Sequence, residues 1–185
     1  MSWVDNIISN ISLTGMSLTM NSEKVIFNFN SSSTDAEWRT VNDAVMGGVS
    51  DSKFEINDDN TATFSGVISP DNNGGFASAR ASLKKEFKDF EGVLFRVKGD
   101  GNIYSLRFRT NTNLDGISYQ TKFNTEPGKW KEYKVPLSNF KPIYRGVALS
   151  NKPKLESKNI KQIGVLIADK QFGKFNLNID WIRFY

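Results

Sequence analysis

The chain of 185 residues contains no cysteine and no histidine. Without cysteine it has no disulfide, no thiolate nucleophile and no thiolate-ligated zinc or iron–sulfur site. Without histidine it lacks the commonest general base and the commonest transition-metal ligand. A Ser-His-Asp triad or a His-rich zinc site cannot be built, and no cofactor is expected. Carboxylate, lysine or tyrosine chemistry, and oxygen-ligated calcium, remain open. No run approaches the roughly 20 apolar residues of a membrane-spanning helix. Residues 1–20 carry no Lys or Arg, so neither a basic signal-peptide start nor an Arg-rich transit peptide is visible. This points to the cytoplasm, with contact at a membrane surface as a further expectation.

What the chain does have is aromatic and turn-forming. Fourteen Phe residues and 19 Asn residues occur in one domain-sized length. Aromatic and β-branched residues favour strands, and Asn, Asp, Gly and Ser favour turns. Residues 24–185 read as one domain, preceded by a segment over 1–23 whose Trp3, Ile7, Ile8 and Ile11 fit one face of a short helix. Phe54 and Ile56, a turn at Asp58-Asp59-Asn60, and Ala62 and Phe64 make a hairpin pattern. Val93, Phe95 and Val97 alternate up to a turn at Gly99–Asn102. Tyr104, Leu106 and Phe108 then share one face, which puts Arg107 and Arg109 on the other. Ile117, Tyr119 and Phe123 face away from Gln120 and Lys122. Ile163, Val165 and Ile167 alternate while Leu166 and Ala168 make that strand apolar on both faces, and Phe175, Leu177, Ile179 and Trp181 alternate at the end, with Trp181 expected in the core. Eight or more strands at this spacing predict an all-β, two-sheet antiparallel sandwich.

Charge is uneven. Residues 1–128 carry a net −4 and residues 129–185 a net +8, giving the whole chain +4. A basic patch suits an acidic protein, nucleic acid or anionic lipid, but also plain solvated faces. No nucleic-acid-binding motif supports the nucleic-acid reading, and none is expected to bind.

Two loops stand out: Trp38-Arg-Thr-Val-Asn42-Asp43-Ala-Val-Met46-Gly47-Gly48-Val-Ser50 and Asn73-Gly74-Gly75-Phe76-Ala-Ser78-Ala-Arg80. A Gly pair lets backbone take positive φ or pass close to another surface; Gly48 is expected to need the first. Asn42 and Asp43 either recognise a ligand or hold their own loop. Arg80, Arg107, Arg109 and Arg145 have apolar or small neighbours. With Asp43, Asp100 or Asp169 they either line a polar groove or form an internal salt-bridge network. Asp169-Lys170-Gln171-Phe172-Gly173 reads first as a turn pivoting on Gly173.

These runs, together with Gly99-Asp-Gly-Asn-Ile-Tyr104, Arg145-Gly146 and Asp169-Lys-Gln-x-Gly173-x-Phe, resemble the CIA30 family, in order along nearly the whole chain. The resemblance implies a galactose-binding-like jelly roll and a role in assembling a membrane-associated complex, respiratory or photosynthetic. It implies a non-catalytic factor whose partner is a protein subunit or assembly intermediate. Carbohydrate binding is the alternative, because the fold resembles carbohydrate-binding modules. The candidate binding surface is Asn42, Asp43, Met46, Arg80, Arg107, Gln120, Arg145, Asp169 and Lys170.

Overall fold

The computed structural model describes residues 23–29, 37–113 and 115–185. The expected N-terminal helix lies outside these residues. Among these residues, thirteen strands follow in order. They are β1 (Lys24–Phe27), β2 (Trp38–Asn42), β3 (Asp51–Ile56), β4 (Ala62–Ile68), β5 (Ala77–Ser82), β6 (Gly92–Lys98) and β7 (Ile103–Arg109). Then come β8 (Ser118–Asn124), β9 (Trp130–Pro136), β10 (Lys141–Tyr144), β11 (Val147–Ala148), β12 (Gln162–Ile167) and β13 (Gly173–Phe184). Helical structure among the described residues is confined to single 3₁₀ turns, and no helix there is long and apolar enough to cross a membrane.

The strands form two antiparallel sheets. One has the order β3-β4-β13-β6-β9, with β1 also paired to the far half of β13. The other has the order β11-β10-β8-β7-β12-β5-β2. This is the two-sheet sandwich that the strand spacing predicts, and the jelly roll that the resemblance implies. The β3–β4 hairpin forms as its alternation requires, with Phe54 opposite Phe64.

The core lies between the sheets. Phe64, Phe95, Leu177 and Ile179 face Tyr104, Leu106, Phe108, Ile163, Val165 and Ile167, all buried. A buried Phe or Leu contributes roughly 1.5–3 kcal/mol, so this layer is the main source of stability. The strand β5 turns only Ala77, Ala79 and Ala81 inward. Trp38 sits opposite Ala81 and stacks on Phe54 of the other sheet at 4.1 Å between ring centroids. That stack pins the two sheet edges together.

The topology places one expected turn and corrects one expectation. Gly99–Asn102 is a turn, but β6 and β7 belong to opposite sheets, so it crosses the sandwich. Its carboxylate, Asp100, accepts from the Tyr104 hydroxyl at 3.1 Å and from the Asn176 amide at 2.7 Å. Trp181 is not in the core. The β13–β6 register shifts between Ile179 and Trp181, so Ile182 and Phe184 take over the inward positions. Trp181 turns outward under the Arg183 guanidinium, 4.3 Å from its ring. A bulge adds one residue and inverts the faces of all that follow.

Candidate functional site

The outward positions of the seven-stranded sheet line up across the strands. Arg39 of β2 faces Arg80 of β5, which faces Gly164 of β12. Gly164 faces Arg107 of β7, Arg107 faces Gln120 of β8, and Gln120 faces Lys141 of β10. Neighbouring strands are about 4.8 Å apart, so this row runs roughly 24 Å across the sheet. Gly164 supplies no side chain, which leaves a gap between Arg80 and Arg107 about two strands wide. A small cavity lies there, lined by Ser78, Arg80, Arg107, Arg109, Gln162 and Gly164 among others. Gly164 is required by space: a Cβ would lie 2.8 Å from the Ala79 carbonyl oxygen.

Arg107 and Arg109 are held by polar, uncharged partners. Arg107 donates Nε–H to Gln120 Oε1 at 2.8 Å. Arg109, only 8% exposed, donates to the Gly116 carbonyl at 2.8 Å. Buried Gln162 donates its amide to the Asn111 and Asn113 carbonyls and so ties down the same loop. The nearby carboxylates are engaged elsewhere. Asp115 pairs with Arg145 at 2.7 Å, and Asp169 pairs with Lys122 at 2.7 Å. Burial, then the charges of Arg80 and Arg109, bring the Arg107 guanidinium down to about 10. Burial first, then Arg109, do the same to Arg80, also to about 10. Burial also lowers Arg109, with Asp115 opposing. All three stay cationic at neutral pH.

The Gly-pair loops make a different object. Asp43 is 1% exposed, and its carboxylate accepts from the Ser50 amide at 2.9 Å, the Gly75 amide at 2.6 Å and the Phe76 amide at 3.3 Å. The Ser50 hydroxyl also donates to it, and accepts in turn from the Ser69 amide at 3.0 Å. Burial pushes the Asp43 carboxyl up, but the Ser50 hydroxyl and the three amides outweigh it and hold it below its ordinary value. Each Gly pair divides its labour. Gly47 and Gly75 take positive φ, +89° and +136°. Gly48 and Gly74 approach Asp43 so closely that a Cβ would sit 2.4 Å and 2.6 Å from its carboxylate. Gly48 is therefore needed for space, and Gly47 is the member with positive φ, which corrects the expectation for this pair.

The remaining candidates lie around these two features. Arg80, Arg107 and Gln120 share the row. Arg145 (φ +46°) and Gly146 (φ +81°) form the two-residue β10–β11 hairpin loop, a connection that needs positive φ at both positions. The Arg145 side chain is 69% exposed. Asp169 and Lys170 both have positive φ, +65° and +60°, where β12 leaves one sheet for β13 in the other. Gln171 then pairs its side-chain amide with both backbone groups of Ile103. Asn42 accepts from the Ser52 hydroxyl at 2.5 Å, and Met46 is 76% exposed. Asp43 is turned inward, with its oxygens occupied by the loop. The row also contains Arg39, Gly164 and Lys141, which were not singled out in the sequence. A Gly in the middle of the apolar run Ile163-Gly-Val-Leu-Ile167 was the available sign of a gap in the sheet surface.

The row itself carries no aromatic residue among the described residues; the exposed Tyr144 of β10 lies at the rim, its hydroxyl donating to Asp115 at 3.4 Å. Tyr104 and Tyr119 are buried in the core. Trp130 lies on the six-stranded sheet, with the Arg96 guanidinium 4.7 Å from its ring.

By fold, the molecule is a jelly-roll sandwich of the kind found in binding modules. A family 11 carbohydrate-binding module from Clostridium thermocellum, solved in complex with a β-1,3-1,4-mixed-linked tetrasaccharide, superposes with a TM-score of 0.63. It shares 19% identity, with 88% of this chain and 94% of that chain covered. The profile of the Complex I intermediate-associated protein 30 (CIA30) family matches residues 27–179, and the chain belongs to that family. It is 26% identical over 171 residues to a probable complex I intermediate-associated protein 30, mitochondrial, of Caenorhabditis elegans, covering 82% of this chain and 48% of that protein. The mouse mitochondrial protein is 25% identical over 184 residues, covering 88% of this chain and 56% of that one. The chain thus spans about half the length of these relatives.

Proposed function

We propose that this chain is a non-catalytic assembly factor, which holds a protein subunit or intermediate while a membrane-associated respiratory or photosynthetic complex is built. The observation that carries this reading is the family match over residues 27–179, with relatives named for association with a complex I intermediate. The absence of Cys and His fits a binding role, because the usual nucleophile–base pairs cannot form. The working surface is the outer face of the seven-stranded sheet with its rim, from Asn42 and Met46 to Arg145, Asp169 and Lys170. The chain works in the aqueous compartment beside the membrane that holds the complex, with peripheral contact at its surface. For this chain that is the cytoplasm, while the worm and mouse relatives are named as mitochondrial. Residues 24–185 act as one binding domain.

Affinity capture of the native protein, followed by sizing of what co-elutes, tests this. A discrete subassembly is expected with wild type. It should be lost in the double variant Arg107→Glu, Arg145→Glu while the melting curve stays normal. Capture of no partner by wild type in its own cell extract would overturn the reading.

Carbohydrate binding is the second reading, favoured by the likeness to the tetrasaccharide-bound module. Sugar faces are apolar and stack on exposed aromatic rings, whereas the outward row here is arginine, glutamine and lysine. A glycan-array signal that disappears in the same double variant would promote this reading over the first.

A further inference from the structure

The β10–β11 hairpin closes one edge of the seven-stranded sheet, at the end opposite the Gly-pair loops. Its Ile143 pairs with Ser118, next to the Phe108–Tyr119 pair, whereas the Gly-pair loops adjoin Asn42 and Ala77 at the Tyr104 end. Tyr144 lies directly across from Val147, so their side chains share a face. The Leu149 amide donates to the Pro142 carbonyl at 2.9 Å, which continues the pairing and sets Pro142 and Leu149 on that same face. Pro142 sits across from buried Tyr119, so this apolar stripe begins at the edge of the core. Towards the tip it is open to solvent, with Val147 65% and Tyr144 37% exposed. Cations surround it. Residues 141–154 contain Lys141, Arg145, Lys152 and Lys154, all exposed, and no Asp or Glu. With Asp115 ion-paired to Arg145 at 2.7 Å, a surplus of three positive charges remains in this set. The Tyr119 hydroxyl donates to the Pro153 carbonyl at 3.0 Å and Leu155 is buried, so Lys152 and Lys154 are held beside the hairpin.

We propose that this hairpin docks on an anionic phospholipid surface, with Val147 and Tyr144 at headgroup level and Arg145, Lys152 and Lys154 on the lipid phosphates. This rests on the assembly reading above and gives its peripheral membrane contact a site. Tyrosine, with an apolar body and a polar tip, suits a membrane–water interface. Each Lys or Arg close to an anionic leaflet raises partitioning about fivefold. Binding of this kind combines a little apolar area with attraction to anionic lipid. An acidic protein fits the hairpin less well. A stable protein interface takes roughly 800 Å² on each side, and a tip with two exposed apolar side chains does not supply it.

The test uses the whole chain and vesicles of phosphatidylcholine, alone or in equal mixture with phosphatidylglycerol. Wild type should co-sediment with the anionic vesicles about tenfold more strongly than with the neutral ones. Lys152→Gln with Lys154→Gln should weaken that binding by about tenfold, and Tyr144→Ser with Val147→Ser by about fivefold. Lys129→Gln with Lys174→Gln removes equal charge from exposed positions at the opposite end and should leave binding unchanged. Because the chain has no cysteine, Val147→Cys and Phe172→Cys each accept a single bimane label. On anionic vesicles the label at position 147 should shift to the blue, and the label at 172, exposed at the opposite end, should not. This single-site readout guards against misfolding of the double variants. No preference for anionic vesicles, equal losses in the two lysine double variants, or a blue shift at 172 instead of 147 would overturn the proposal. Tighter binding to a soluble octaglutamate peptide than to the anionic vesicles would also overturn it, in favour of an acidic protein. A wild type that captures its partner from extract but ignores anionic vesicles ends this proposal and leaves the assembly reading standing. Vesicle binding as expected with no partner captured does the reverse.

Discussion

Asp43, buried, and Arg107, half-buried, are both ionised, yet the fold treats them in opposite ways. Asp43 sits among four donors, three of them backbone amides from two separate loops. Its charge organises the chain around it, and Gly48 and Gly74 are glycines because the carboxylate occupies the space of a Cβ. Arg107 has one neutral acceptor, two arginine neighbours that repel it and the Asp169 charge acting in its favour. A charge that its surroundings satisfy completely is part of the scaffold. A charge left short of counter-ions is available to a partner. The contrast separates residues that look equivalent in sequence, since both lie in polar, Gly-containing or alternating stretches.

The largest effect should come from the satisfied charge. Asp43→Ala strands several buried donors, and chemical denaturation should show a loss of roughly 3–5 kcal/mol. A loss under about 1 kcal/mol would mean that the loops hold themselves without the carboxylate. The same carboxyl makes stability depend on acid. Its folded pKa lies below the ordinary 3.8, so its contribution is complete above that value and disappears as pH falls through the folded pKa. Wild type should therefore lose melting temperature below about pH 4 more steeply than Asp43→Asn. Parallel curves would assign the acid sensitivity to other groups.

Gly48→Ala comes next. The new methyl meets a carboxylate that four donors hold in place, at a cost of roughly 1–3 kcal/mol. Gly47→Ala has open space around it and should cost only the positive-φ penalty of about 1 kcal/mol. If Gly47 proved the more sensitive position in thermal melts, backbone angle rather than crowding would govern the loop.

The unsatisfied charge should matter little to the fold. Arg107→Met removes a hydrogen bond and also a repulsion, so unfolding free energy should move by less than about 1 kcal/mol in either direction. A collapse of the melt would place Arg107 with Asp43 among the scaffold residues and end the contrast. The smallest expected change is a gain. Lys170→Gly relieves a positive φ at a residue with a long side chain and should add about 0.5 kcal/mol, reduced by the entropy that Gly returns to the unfolded chain. An unchanged or lower midpoint in denaturant would show that Lys170 makes a compensating contact.

Much of this was legible along the chain. Period-two alternation placed the β3–β4 hairpin, the faces of β7 and the outward direction of Arg107 and Gln120, because a strand sends successive side chains to opposite faces. The absence of Cys and His closed whole classes of chemistry before any fold was considered. The order of Gly-framed motifs was enough to suggest the family. Trp181 shows where alternation fails: one extra residue in β13 inverts the faces, and nothing local in Asn-Ile-Asp-Trp announces it. Gly48 shows the same limit for glycines, since positive φ and lack of room look identical in a Gly pair. Only the tertiary structure decided that β6 and β7 lie in different sheets, that Asp43 turns inward, and that Arg39, Arg80, Arg107 and Lys141 fall into one row. Those residues are dispersed over a hundred positions, and their alignment depends on which strands pair and in what register. Pairing is settled by burial of the whole core between two sheets, a property that no single stretch of sequence contains.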